Sequence, residues 1–273
     1  MAKVTYKVTY FEVFPEYKIK DGIIKAVGDV PVYTHQCPSR CYLMFSYIKD
    51  EESLVRFANK YGLPGASENA KIYYDASAFY CMHDEVKAIL DEALNIRNTL
   101  NIIKRKKRNV NKKLTTSELL KERYYCNAAE YEENYSSSID ISHHLDSLPR
   151  EFRDKFDEFT TEDKVNNRIA ITINDYISNV GHQAYYNPIN KDFESQVAYD
   201  GLISACWYQM YLNNIVSNNK LKTCPECGDL HEGQGKFCPP EKFGKSAGER
   251  SNCQNKYTKR EWKRRKEKSI NKP

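Results

Sequence analysis

Four cysteines crowd the last quarter of the 273-residue chain: Cys224, Cys227, Cys238 and Cys253, in the spacing C-x2-C-x10-C-x14-C. No other feature restricts the fold as strongly. In Cys224-Pro225-Glu226-Cys227-Gly228, a tight turn points two thiolates at one ion while backbone amides hydrogen-bond the sulfurs. Gly228 takes up the turn that a side chain would obstruct. Four soft thiolates suit zinc in a closed tetrahedral shell, so the ion is expected to be structural, one per chain. A segment this short and polar lacks the apolar content to hold itself together, and zinc binding would supply the folding free energy. His231 is the alternative to Cys238 as a ligand.

The chain after Cys253 runs Gln254-Asn255-Lys256-Tyr257-Thr258-Lys259-Arg260-Glu261-Trp262-Lys263-Arg264-Arg265-Lys266. It has no Gly or Pro and reads as a helix started at the metal. Residues 254–273 hold nine Lys and Arg against Glu261 and Glu267, a local +7 in a chain of net charge +5, which leaves −2 for the other 253 residues. A second basic run, Lys104 to Arg108 with Lys112 and Lys113, lies further upstream. An acidic body with two concentrated basic segments attracts polyanions, because cations that neutralise phosphates release counterions. Lys256, Lys259, Arg260, Lys263, Arg264, Arg265 and Lys266 are therefore the expected nucleic-acid contacts. They would position the protein on phosphates without reading sequence. Tyr257, Arg260, Glu261 and Arg264 share one helix face, and Glu261 and Arg265 are spaced as an i, i+4 pair. Trp262 is expected to pack the helix against the metal lobe, with stacking on a base as the alternative.

This C-terminus resembles the CGNR-type zinc fingers of bacterial proteins. The family's Cys-Gly-Asn-Arg stands here as Cys253-Gln254-Asn255-Lys256, followed similarly by a basic helix, and Phe237-Cys238 is similar to its aromatic-Cys step. Leu54 to Gly62 resembles a segment of the family's amino-terminal domain, and Leu202 to Gln209 sits where relatives carry an apolar helix. The resemblance implies a DNA-associated role in transcriptional regulation.

Elsewhere the sequence speaks mainly of architecture. Val4, Tyr6, Val8 and Tyr10 alternate with Thr5, Lys7 and Thr9, a strand signal. Gly22 to Tyr33 reads as turns between short strands, and Tyr42 to Ile48 as a buried strand. Glu51 to Tyr61 predicts a helix burying Leu54, Phe57, Ala58 and Tyr61 and ending at Gly62. A long amphipathic helix follows from Asp84, with Val86, Ile89, Ala93, Ile96 and Leu100 on its apolar side. Residues 114–145 read as a mobile insertion, 148–159 as a further helix, 169–177 as helix or strand, and 193–216 as a helix with Cys206 and Trp207 in its core.

The expected fold class is α+β: a mixed N-terminal region and a mainly helical middle, then a small zinc-stabilised module ending in a basic helix. The division falls at 1–220 and 221–273. An odd count of nine cysteines argues for reduced thiols rather than a disulfide framework. The absence of a long apolar run or a signal core predicts a cytoplasmic protein without a membrane contact. Cys37 and Cys41 read as a buried thiol pair beside a turn, with a second metal or redox site as the alternative. Gly244-Lys245-Ser246 lacks the first glycine of a phosphate loop. His143-His144 and the acids at 130–133 form no catalytic spacing. The chain is thus expected to be a zinc-finger DNA-binding regulator rather than an enzyme, DNA being favoured over RNA, with residues 1–220 sensing, assembling or meeting a protein partner. The alternative is an RNA-binding or defence-type effector or enzyme, in which the finger only recruits the body to nucleic acid.

Overall fold

The structure, a computed structural model, describes residues 10–38, 40–75, 78–107, 170, 173–178, 180–187, 192–217, 219–232, 235–243, 245 and 249–270. The insertion expected over 114–145, the helix expected over 148–159 and Val4 to Thr9 lie outside them. Helices and a mixed sheet are both present, so the fold is α+β.

The N-terminal half is a six-stranded sheet: β1 (Tyr10–Val13), β2 (Glu16–Lys20), β3 (Ile23–Val27), β4 (Tyr33–His35), β5 (Lys71–Asp75) and β6 (Ala78–Glu85). β6 is the longest and organises the rest. Its start pairs in parallel with β1 (Phe11↔Phe79), and its end pairs antiparallel with β3 (Ile24↔Asp84). Along its other side it takes β5 (Tyr74↔Phe79). β2 and β3 form a hairpin across Asp21-Gly22, with Ile19 opposite Ile24. Phe11 and Val13 are buried while Tyr10 is 38% exposed, so β1 buries the odd-numbered face, not the one carrying Tyr10.

Three helices pack around this sheet: α1 (Cys41–Ser46), α2 (Glu51–Tyr61) and α3 (Val86–Lys107). α2 matches its predicted span and buried face. It starts with a capping box: the Asp50 carboxylate accepts from the Ser53 amide at 2.8 Å, and the Ser53 hydroxyl accepts from the Asp50 amide at 3.1 Å. α3 buries Ile89, Ala93, Ile96 and Leu100 at helical spacing, as its periodicity predicts. Arg97 reaches from α3 to the carbonyls of Ser46 and Ile48 at 2.7 and 2.6 Å. It thereby satisfies backbone groups that the end of α1 leaves open.

Two predicted elements differ. Tyr42 to Ile48 is not a strand: α1 occupies most of it. Cys41, Tyr42, Leu43, Phe45 and Ser46 are all buried, and a short run covered on every side has no amphipathic period to reveal a helix. The predicted helix over 193–216 is divided. A strand hairpin of β7 (Gly181–Asn187) and β8 (Asp192–Ala198) comes first. The helix proper, α4 (Leu202–Tyr211), starts only after Gly201 and runs into a wider π-turn over Leu212–Val216. The ambiguous 169–177 segment is helical over its described residues 173–177.

α4 is apolar all round and lies in the same core as the sheet and the other helices. Trp207 stacks on Tyr176 at 4.8 Å between ring centroids, and both donate hydrogen bonds to Glu92 on α3, at 2.7 and 2.9 Å. Burial pushes the Glu92 carboxyl above its ordinary value, and these donors only partly offset that.

Candidate metal centre and basic helix

The C-terminal lobe is built on a small hairpin, β9 (Lys222–Thr223) with β10 (Leu230–His231). Between them Cys224 to Gly228 forms the predicted tight turn. The Gly228 amide donates to the Cys224 carbonyl at 2.9 Å, and the Cys224 amide donates to the Asp229 carbonyl at 2.9 Å. Gly228 sits at φ +78°, a left-handed conformation that disfavours any residue with a Cβ. The last helix, α5 (Asn252–Ile270), starts at Ser251. The Ser251 hydroxyl accepts from the Gln254 amide at 3.2 Å, an N-cap that places Cys253 in the first turn.

Together these elements bring the four cysteines into one group. The sulfurs of Cys224, Cys227, Cys238 and Cys253 all lie within 4.8 Å of one another, three of them on buried residues. Cys227 and Cys238 are 3.3 Å apart. Thiolates bound about 2.3 Å from a tetrahedral ion stand about 3.8 Å from each other, so the quartet is suited to hold a metal ion. Burial raises the Cys224 thiol, but backbone amides of Cys227, Cys238 and Glu226 outweigh it and bring the thiol down to about 7. Burial raises Cys253 to about 12, and the neighbouring Cys227 adds to this. His231 is not part of the quartet. It is buried, its Nδ1 faces the Glu232 carbonyl at 3.4 Å, and its Nε2 has no hydrogen-bond partner among the described residues.

Sequence reasoning missed Lys242. Its ammonium sits 3.4 Å from the Cys227 sulfur and 3.6 Å from the Cys238 sulfur, and it is ion-paired to Asp229. Burial works to lower this lysine, yet Asp229 and the two thiols raise it overall, so it stays charged. A four-thiolate shell around a divalent ion carries two excess negative charges, and a half-buried ammonium beside the sulfurs partly offsets them. Only its place in the Cys238–Cys253 loop hinted at this role.

The lobe also docks on the body. Leu221 and Leu230 join the main core. Tyr47, just past α1, donates to the Leu230 carbonyl at 2.6 Å, and Lys49 pairs with Asp229 at 2.7 Å. The Tyr42 hydroxyl donates to Glu232 and accepts from Asn214 at 2.9 Å.

One face of α5 is spent on holding the lobe. Beside Cys253, Tyr257 packs on Phe237 at 5.2 Å, and Arg260 pairs with Glu226 at 2.8 Å. Residues 253, 257 and 260 fall on one side of a helix. Trp262 lies off this side and is 65% exposed, so it does not pack the helix on the lobe. Glu261 pairs with Arg264 at 2.9 Å rather than with Arg265. All seven expected cations are exposed. Lys256, Lys259, Lys263 and Lys266, at successive spacings of three and four, form a stripe beside Trp262, whose ring lies 5.3 Å from the Lys266 ammonium. Of the upstream basic run, Lys104 is buried and the other side chains lie outside the described residues.

Compared with models of protein families, with curated proteins and with solved structures, the chain matched none. Among the described residues no helix is long and apolar enough to cross a membrane.

Proposed function

We propose that the thiol quartet holds a structural zinc ion, and that the zinc-fixed α5 is the nucleic-acid-binding element of a DNA-associated regulator. The observation that carries this reading is the division of labour around α5. One side is anchored at Cys253, Tyr257 and Arg260, while the lysine stripe and Trp262 are left to solvent. Arg260 and Arg264 already have carboxylate partners. Lys256, Lys259 and Arg265 enter no ion pair among the described residues, and Lys263 has only a long, solvent-exposed pair with Glu267 at 4.0 Å, so these four are the contacts favoured for phosphate. The zinc shell has no open position and takes no part in chemistry. The likeness of Cys253 to Lys256 to the CGNR signature points the same way.

Binding of the full chain to duplex DNA, followed by fluorescence anisotropy across a salt series, tests this. Four phosphate contacts give a slope of log K against log salt of about −3.6. The Lys256→Ala/Lys259→Ala/Lys263→Ala variant flattens that slope, whereas Arg264→Ala changes it little. An unchanged slope in the triple variant refutes the reading.

The exposed indole supports a second reading, in which the strand bound is single-stranded DNA or RNA. Base stacking on an aromatic ring contributes about 1–3 kcal/mol. Under this reading Trp262→Ala weakens binding to an unpaired oligonucleotide by roughly ten-fold or more and leaves duplex binding intact.

A further inference from the structure

A second set of thiols lies inside the body, remote in sequence from the lobe's quartet. Cys37 stands in the segment after β4, Cys41 opens α1, and Cys206 sits in the middle of α4. Their three sulfurs lie within 4.8 Å of one another. Cys41 and Cys206 are buried, Cys37 is partly exposed, and none of the three is in a disulfide. We propose that these three cysteines form a second metal site, for a single thiophilic ion with a filled d shell, Zn(II) or Cu(I).

Geometry supports a single ion over a cluster. Sulfurs about 2.3 Å from one centre stand close to 4 Å apart, which the 4.8 Å limit accommodates. Thiolate donors select Zn(II) and Cu(I) over the harder divalent ions. A disulfide would use two of the sulfurs and leave the third idle, whereas an ion engages all three. Of the three residues, Cys37 lies nearest the surface.

His35 is close by but is not placed as a fourth ligand. Its Nδ1 faces the Gln36 carbonyl at 2.9 Å and its Nε2 faces the Tyr61 carbonyl at 3.2 Å. Three thiolates alone suit trigonal Cu(I). Zn(II) would fill its remaining position with water from the Cys37 side. In either case the ion would tie the β4–α1 connection and the start of α1 to the middle of α4. Since α1 also carries Tyr42, which meets the lobe at Glu232, the site sits at the root of the lobe's docking surface.

The full-length chain, reduced and stripped of metal, is titrated with Zn(II) alone or is first loaded with one equivalent of Zn(II) and then titrated with chelator-buffered Cu(I). Bound metal per chain is then counted by plasma mass spectrometry. The expected result is two equivalents in the wild type, taken as zinc alone or as one zinc and one copper. Cys37→Ser loses one equivalent and keeps the other. Cys224→Ser/Cys227→Ser keeps the equivalent that Cys37→Ser loses. Should either variant misfold, alkylation of Cys37 in the wild type probes the same site, being slowed by Zn(II) or Cu(I) if the ion binds there. The proposal is overturned if neither ion yields a Cys37-dependent equivalent and neither slows alkylation. Recovery of Cys37 in an intramolecular disulfide in place of bound metal also overturns it. Failure of the lobe's zinc instead leaves one equivalent that needs Cys37 and is indifferent to Cys224 and Cys227.

Discussion

At the scale of single residues, two positions in the body show how local chemistry sets elements in place. Asp50 caps α2, and the Ser53 hydroxyl and amide hold its carboxyl below the ordinary value. Asp50→Ala is expected to cost about 1 kcal/mol at neutral pH, as loss of an N-cap generally does. A carboxyl lowered in the folded state stabilises fully above its unfolded value and loses that contribution as pH falls through the folded one. The gap in urea midpoint between wild type and Asp50→Ala therefore closes in acid, below the usual carboxylate range. Gly62 ends α2 at φ +82°, and a Cβ there would lie 2.9 Å from the Glu12 carbonyl oxygen. Strain and clash act together, so Gly62→Ala is expected to destabilise by about 2 kcal/mol or more, read from the same denaturation curves.

At the scale of elements, α5 is the one that most needs outside help. Its surface is almost wholly polar, and few apolar side chains fasten it. The exposed Arg260–Glu226 pair contributes little, about 1 kcal/mol at most. Ligation of the proposed ion by Cys253 would thus be the main anchor of α5. Chelation of the metal is expected to remove the amide protection of residues 252–267 in hydrogen exchange and to lower the far-ultraviolet helical signal. The body helices stay protected, because their apolar faces hold them in the main core. Protection of α5 that survives complete metal removal would contradict the anchoring role. The contrast between α2 and α1 has the same physical root. α2 is half solvated, so its burial follows a helical period that is legible in the residues. α1 is enclosed on every side, and its composition is as compatible with a strand.

At the scale of the whole molecule, the lobe and body are mechanically joined. The Tyr47 hydroxyl supplies a buried donor to the Leu230 carbonyl. Tyr47→Phe leaves that carbonyl without it, at an expected cost of about 1–2 kcal/mol. Because Leu221 and Leu230 belong to the main core, disordering the lobe exposes part of that core. Calorimetry with and without chelator is expected to show the body's transition at a lower temperature once metal is removed. A body transition indifferent to metal would mean that the docking contacts carry no free energy.

The residues alone determined the elements whose chemistry is local. The Cys224–Gly228 turn, the span of α2 and the amphipathic face of α3 each follow from spacing within a few turns of chain. Tertiary structure decided whatever depends on partners distant in sequence. It placed Cys206 beside Cys37 and Cys41, set Lys242 against the sulfurs, and chose Cys238 over His231. It also turned Trp262 to solvent, because anchoring through Cys253, Tyr257 and Arg260 left that side of α5 uncovered. Periodicity reports which face of an element is apolar. Which neighbour covers that face, and which side chains it leaves exposed, is settled only when the whole chain packs.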